Sequence, residues 1–219
     1  YFQGMEARNE HYAKVPAIVA EYMEKISEIT GRHYAPFTYY GAPDAERIII
    51  AMGSITEAAH ETIDALMAQG EKVGMIKVHL YRPFAPEYML KVMPSTVKKI
   101  AVLDRTKESG AMGEPLYLDV VAALKDRKDI EIIGGRYGLG SKDTQPCHVK
   151  AVFDHLKEEK MINGFTIGIE DDLTHLSLPA DESFQINGDY TSCLFWGLGS
   201  DGTVSANKST VKIMGDNTD

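Results

Sequence analysis

The sequence predicts an α/β protein: one three-layer domain with a mainly parallel sheet and helices on both faces, then a strand–glycine-loop–helix unit. Three observations lead there. Short, nearly continuous apolar runs recur between residues 47 and 169, as expected for strands buried on both faces. Amphipathic helical stretches separate them, and strand–helix–strand alternation calls for right-handed crossovers and parallel pairing. Near the carboxyl end, Gly197, Gly199 and Gly202 form G-x-G-x-x-G after an apolar run and before a helix-like stretch, the context that gives this pattern weight.

The elements follow in order. Residues 1–4, Tyr-Phe-Gln-Gly, read as the scar of a cleaved purification tag before Met5 and are set aside. Residues 11–30 carry a helical stripe of Val15, Ile18, Tyr22, Ile26 and Ile29, with Gly31 as the stop. Residues 32–46 lack a period, contain two prolines and read as a connector. Arg47–Met52 ("RIIIAM") is the first strand. The helix after it places Ile55, Ala58, Ala59, Thr62, Ile63 and Leu66 on one face. Ser54 and Glu57 suggest a capping box at its start, and Gly70 a left-handed cap at its end.

Val73–Leu80 is the second strand, Pro86–Met93 a short helix and Lys99–Asp104 ("KIAVLD") the third strand. A helix over Glu114–Leu124 turns Leu116, Val120, Val121 and Leu124 inward. Ile130–Gly134 is the fourth strand, Pro146–Glu159 the next helix and Phe165–Ile169 a fifth strand or edge. The first domain is therefore expected over 5–160 and a linker over 161–188. The opening of a further domain is expected over 189–219, with a strand near Thr191–Phe195 and a helix to about Met214.

Composition limits the function classes. The chain has 219 residues, of which 44% are hydrophobic and 25% charged, ordinary for a globular protein. Its net charge of −9 argues against nucleic acid or an anionic membrane as the main partner. No apolar run reaches the ~18–20 residues of a membrane span, and no signal peptide is visible. Cys147 and Cys193 are isolated, which fits a reducing cytoplasm better than a disulfide or zinc framework. A 4Fe-4S cluster needs about four thiolates, so this chain cannot hold one alone.

Five stretches could carry chemistry. In the tail, glycines let backbone amides approach an anion at a helix start; the same pattern also serves a tight turn that needs small residues. Asp201 would repel an anion there unless turned away. "YRPF", "DRTKESGAMGEP" and "GGRYGLGSKD" leave the carboxyl ends of strands, gathering Arg82, Arg105, Lys107, Arg136 and Lys142 at one sheet edge. That edge is either an anion site or interface, or simply polar loops. "EDDLTH" holds Asp171, Asp172 and His175, spaced like metal ligands but better read as a hydrogen-bonded loop.

Beyond these patterns, "GEKVGMIKVHLYRPFAPEYM", "KKIAVLDRTKESGAMGEPLYLDVVAAL" and "IIGGRYGLGSKD" resemble the second domain of pyruvate:ferredoxin (flavodoxin) oxidoreductases. "IGIEDDLTHLSLP" matches the same family, and "GLGSDGTVSANKSTVKIMGDNTD" looks like the start of its third domain. More distantly, the first 150 or so residues look like the carboxy-terminal domain of transketolases and 2-oxoacid dehydrogenases. The resemblance implies a parent enzyme that oxidatively decarboxylates pyruvate with coenzyme A. It uses thiamine diphosphate with Mg2+ and passes electrons through 4Fe-4S clusters to ferredoxin or flavodoxin. No catalytic residue or metal ligand transfers to this stretch. The family's coenzyme A loop corresponds to Gly199, Ser200, Asp201, Gly202, Thr203 and Val204. The implied partners are other domains of the parent chain, a homodimer mate and the electron acceptor. The alternative is a standalone nucleotide- or coenzyme A-binding module without redox chemistry.

Overall fold

The computed structural model describes residues 1–171, 173–186 and 193–218. The chain falls into two compact units, Tyr1–Ile186 and Asn187–Asp219.

In the first unit, strands β1 (Phe37–Gly41), β2 (Arg47–Ala51), β3 (Val73–Val78), β4 (Lys99–Asp104), β5 (Glu131–Tyr137) and β6 (Phe165–Ile167) form one sheet in the order β1-β3-β2-β4-β5-β6. β1 runs antiparallel to β3 and every other pairing is parallel. The helices are α1 (Phe2–Glu6), α2 (Asn9–Thr30), α3 (Ile55–Ala68), α4 (Pro86–Val92), α5 (Pro115–Ala123) and α6 (Pro146–His155).

Two-residue alternation splits the core into two layers. Ile49, Ala51, Met75, Ala101 and Leu103 pack with α3 and α6 on one face. Ile48, Ile50, Ile76, Ile100 and Val102 pack with α4 and α5 on the other. This is the predicted three-layer architecture, and the reason "RIII" is apolar without a break: both faces of β2 are covered. Burying each of its three isoleucines contributes about 2–3 kcal/mol.

α4, α5 and α6 each open on a proline, Pro86, Pro115 and Pro146, whose missing N–H costs nothing at that position. α3 ends with Gly70 at φ 86°, as expected, its amide donating to the Met67 carbonyl at 2.9 Å. The expected capping box at its start does not form. Ser54 already has helical angles and makes no capping bond, because Gly53 at φ 79° turns the chain into the helix one residue early. The Thr56 hydroxyl donates to the Gly53 carbonyl at 2.8 Å, and Glu57 reaches out to Lys77 at 2.8 Å.

Four further differences from the sequence reading have physical causes. The supposed connector 32–46 contains β1, which carries a buried Phe37; Tyr39 lays its ring over Gly74 and donates its hydroxyl to the Ala42 carbonyl. α2 forms and ends at Gly31 as predicted, but it turns Val15, Pro16, Val19, Ala20 and Met23 inward and leaves Ile18, Tyr22, Ile26 and Ile29 exposed. Its apolar arc is wider than the face it buries.

β5 runs on through Tyr137, so Gly134 and Gly135 are strand residues. An added Cβ at Gly134 would meet the Tyr117 ring and one at Gly135 the Phe165 ring; the paired glycines make room for aromatic rings. Finally, β6 forms where a fifth strand or edge is expected, but the supposed linker 161–188 also lies against it: the Thr166 amide donates to the Leu176 carbonyl and the Leu178 amide to the Thr166 carbonyl, a second ply beside the buried Phe165, Ile167 and Leu178. The first unit accordingly extends to Ile186.

In the second unit, α7 spans Thr203–Gly215 and buries no residue. Of the strand expected near Thr191–Phe195, Thr191 and Ser192 lie outside the described residues, and Cys193–Phe195 carry no strand.

Replacing Gly135 with alanine should destabilise the protein by about 1–3 kcal/mol, measured by urea unfolding. The Cβ cannot be accommodated without moving Phe165; an unchanged midpoint would show that the ring yields freely.

Candidate functional site

The glycine-rich loop is shaped by its own carboxylate. Gly199, Ser200 and Gly202 have φ of 81°, 55° and 85°, and Gly202 is the left-handed N-cap of α7. Gly197 is small because a Cβ would lie within 2.8 Å of Thr203. Asp201 turns inward. Its carboxylate accepts from the Leu198 amide at 3.0 Å, the Thr203 amide at 3.0 Å and the Thr203 hydroxyl at 2.5 Å. These bonds, the Thr203 hydroxyl foremost, hold its pKa down at about 2. Part of the expected anion cradle is thus filled by the protein. Val204, the last of the predicted loop residues, sits exposed in the first turn of α7.

The carboxyl edge of the sheet is built around Asp104 and Glu114. Asp104, ending β4, is buried and accepts from the Leu116 and Tyr117 amides at 3.0 and 3.1 Å, satisfying the otherwise open first turn of α5. Burial pushes its pKa up, against the pull of those two amides. Glu114 pairs with Arg136, and the two side chains are only 4% and 12% exposed. Glu114 also accepts from the Glu108 amide at 3.0 Å, and Arg136 donates to the Gly164 carbonyl at 2.6 Å.

Of the five cations predicted at this edge, two are thereby neutralised: Arg136 by Glu114 and Arg82 by Asp119 at 2.7 Å. Arg105 lacks a carboxylate partner among the described residues. It makes long hydrogen bonds to the Gly138 carbonyl at 3.3 Å and the Ser54 hydroxyl at 3.5 Å. Lys107 is exposed, and Lys142 lines a hollow together with Arg105 and Ser54. Sequence reasoning missed Tyr137, buried and donating to the Met52 carbonyl at 2.9 Å, and it read Ser54 as a cap. The β-period of "EIIGGRY" was the available signal for Tyr137.

"EDDLTH" is a hydrogen-bonded loop. Asp171 accepts from the amides of Leu173, Thr174 and Leu176 at 3.0–3.2 Å, and with the Thr174 hydroxyl these hold its carboxyl well below the usual range. His175 sits at φ 56°, and Asp172 lies outside the described residues.

Residues 45–149, which span β2 to the start of α6, match the family described as pyruvate:ferredoxin oxidoreductase core domain II. These residues belong to that family. A pyruvate:ferredoxin oxidoreductase from Moorella thermoacetica is 56% identical over 100% of this chain and 19% of its own length. A pyruvate-flavodoxin oxidoreductase from Enterobacter agglomerans is 55% identical over 100% of this chain and 19% of its own. An NADP(+) pyruvate dehydrogenase, mitochondrial, from Euglena gracilis is 49% identical over 100% and 12% respectively. The chain therefore spans about a fifth or less of the curated relatives it matches. A solved 2-oxoglutarate:ferredoxin oxidoreductase from Magnetococcus marinus aligns with a TM-score of 0.41 at 20% identity, over 57% of this chain and 20% of that one.

Two outcomes test these arrangements. Glu114→Ala should cost about 3–5 kcal/mol in urea unfolding because it strands the buried Arg136 guanidinium, and Glu114→Gln should cost less; equal, negligible costs would mean the pair is solvated. Asp201 has a depressed pKa, so its bonds are fully present above the unfolded value near ~3.9 and are lost as pH falls through about 2. The Leu198 and Thr203 amide resonances should titrate together with that low midpoint, whereas a midpoint near ~4 would mean that the carboxylate faces solvent.

Proposed function

We propose that this chain is a portion of a 2-oxoacid:ferredoxin or flavodoxin oxidoreductase that converts pyruvate and coenzyme A to acetyl-CoA and CO2. The α/β body serves as a non-catalytic scaffold and interface, and the loop Gly199–Val204 contributes to coenzyme A binding. The observation that carries this reading is identity of about one half that covers 100% of the chain, body and glycine tail alike. Relatives named for ferredoxin, flavodoxin and NADP(+) show that the acceptor varies among proteins similar to this one. Ferredoxin or flavodoxin, a homodimeric assembly and a cytoplasmic setting complete the proposal.

The chain's residues fit the implied groups unequally. Cys147 is buried in the first unit and Cys193 exposed in the second, and two thiols do not meet the ligand need of a 4Fe-4S cluster. Among the described residues no cluster of three His, Cys, Asp or Glu is placed to hold Mg2+ for thiamine diphosphate. In this proposal both groups are carried by the rest of the parent protein. Coenzyme A fits in part. With Leu198 and Thr203 bonded to Asp201, a phosphate would use the amides of Val204 and Ser205, which the geometry of a helix start leaves without intrahelical acceptors. Coenzyme A would supply the thiol that accepts the acyl group; this loop would only hold and orient it.

The full-length parent should reduce a viologen dye with pyruvate and coenzyme A. Gly199→Val should raise the KM for coenzyme A about tenfold or more, from the loss of one or more charge-assisted bonds, with the KM for pyruvate unchanged. Equal effects on both substrates would remove the loop from the coenzyme A site. Micromolar coenzyme A binding by this chain alone, read by calorimetry, would favour the standalone module instead.

A further inference from the structure

The order β1-β3-β2-β4-β5-β6 contains a reversal. From β2 the chain crosses to β3 through α3 on one face, then returns past β2 to β4 through α4 on the opposite face. The connections leaving β2 and β4 therefore part on opposite sides of the sheet. In open α/β sheets the crevice at such a reversal, outside the carboxyl ends of the strands, is where ligands bind. Here a cavity of about 390 Å³ occupies that place, lined by Gly53 and Ser54 after β2, Arg105 and Thr106 after β4, and the rings of Tyr81 and Tyr137. A second hollow of about 220 Å³ adjoins it, shares Ser54, Arg105 and Tyr137, and adds Lys142. The larger cavity by itself lies within the size range of small-molecule sites, roughly 300–1,000 Å³.

The chemistry of the lining is selective. Arg47, Arg82, Arg127 and Arg136 each have a carboxylate partner. Arg105 has none among the described residues, and its two hydrogen bonds are long, which leaves guanidinium donors for a ligand. Ser54 does not cap α3, so among the described residues its hydroxyl is committed only to Arg105. Two carboxylates line the hollows, Asp104 and Asp143. Asp104 is turned into α5, bonded to the Leu116 and Tyr117 amides. Asp143 accepts from the Thr144 amide at 3.0 Å and stands on the side of Lys142. Gly53, at φ 79° and with the Tyr137 hydroxyl 3.8 Å from where a Cβ would stand, keeps the backbone floor low. The Tyr81 ring, Met52 and Pro115 give the rest of the larger cavity an apolar wall.

We propose that this crevice binds a phosphomonoester of nucleotide size, its phosphate held by Arg105, Ser54 and Thr106 and its body resting against Tyr81, Met52 and Pro115. The site lies in the first unit and does not rest on the coenzyme A assignment. A resonance-assigned sample of the 219-residue chain, titrated with AMP and separately with inorganic phosphate, tests it. AMP should produce saturable shifts at Ser54, Arg105 and Thr106 and bind more tightly than inorganic phosphate. Arg105→Ala should weaken AMP about tenfold or more, the loss of a charge-assisted hydrogen bond. Arg127→Ala, which removes a cation already paired with Asp129 and absent from the cavity lining, should leave AMP binding unchanged. Ser54→Ala provides a second variant with little demand on folding and should also weaken AMP. Absence of saturable shifts at millimolar AMP, shifts centred on Gly199–Thr203 instead, AMP no tighter than inorganic phosphate, or equal effects of the two arginine variants would each overturn the proposal.

Discussion

The carboxyl edge of the sheet depends on one buried ion pair, Glu114 with Arg136. Burying two charges costs several kcal/mol per ion unless their remaining donors and acceptors are also satisfied. Here they are: Arg136 reaches the Gly164 carbonyl and Glu114 takes the Glu108 amide. One pair therefore ties together the loop after β4, the end of β5 and the entry to β6. Next to it, Asp104 closes the first turn of α5. With those segments fixed, the crevice beside them has defined walls.

This arrangement also decides where positive charge is available on a chain of net charge −9. Five cations reach the edge, but Arg136 and Arg82 are matched by Glu114 and Asp119. What remains is Arg105, with Lys142 beside it across the smaller hollow and Lys107 further along the same loop. An edge that looks uniformly basic in the sequence is, once paired, basic chiefly around the strand reversal. The glycine loop behaves in a related way: Asp201 fills amide positions that a bare glycine pattern would leave to a ligand.

The two units differ in how much apolar surface they cover. The first has a core on each side of its sheet, yet α2 still exposes Ile18, Tyr22, Ile26 and Ile29. In the second, Leu194, Trp196, Leu198, Val204 and Ile213 are all exposed and α7 buries nothing. Where such side chains form one patch they mark contact with other protein, which accords with the scaffold and interface role proposed for a chain spanning about a fifth of its relatives.

The sequence by itself determined the three-layer architecture, β2 through β5 in their approximate places, and the helices between them. Unbroken apolar runs such as "RIIIAM" and helical-period faces such as Ile55–Ala59–Ile63–Leu66 are local signals of burial. It also determined that Gly70 and Gly31 end helices and that three edge loops collect cations. Only the tertiary structure decided which cations are neutralised, because Arg136 meets Glu114 across 22 residues and Arg82 meets Asp119 across two elements. It also decided that β1 is an antiparallel edge, since a five-residue segment between prolines gains its strand character from β3. Gly134 and Gly135 belong to a strand because they pair with Val102 and Leu103, and they are glycines because the Tyr117 and Phe165 rings lie over them. Pairing, register and ring packing act between residues distant in the chain, and no local period encodes them.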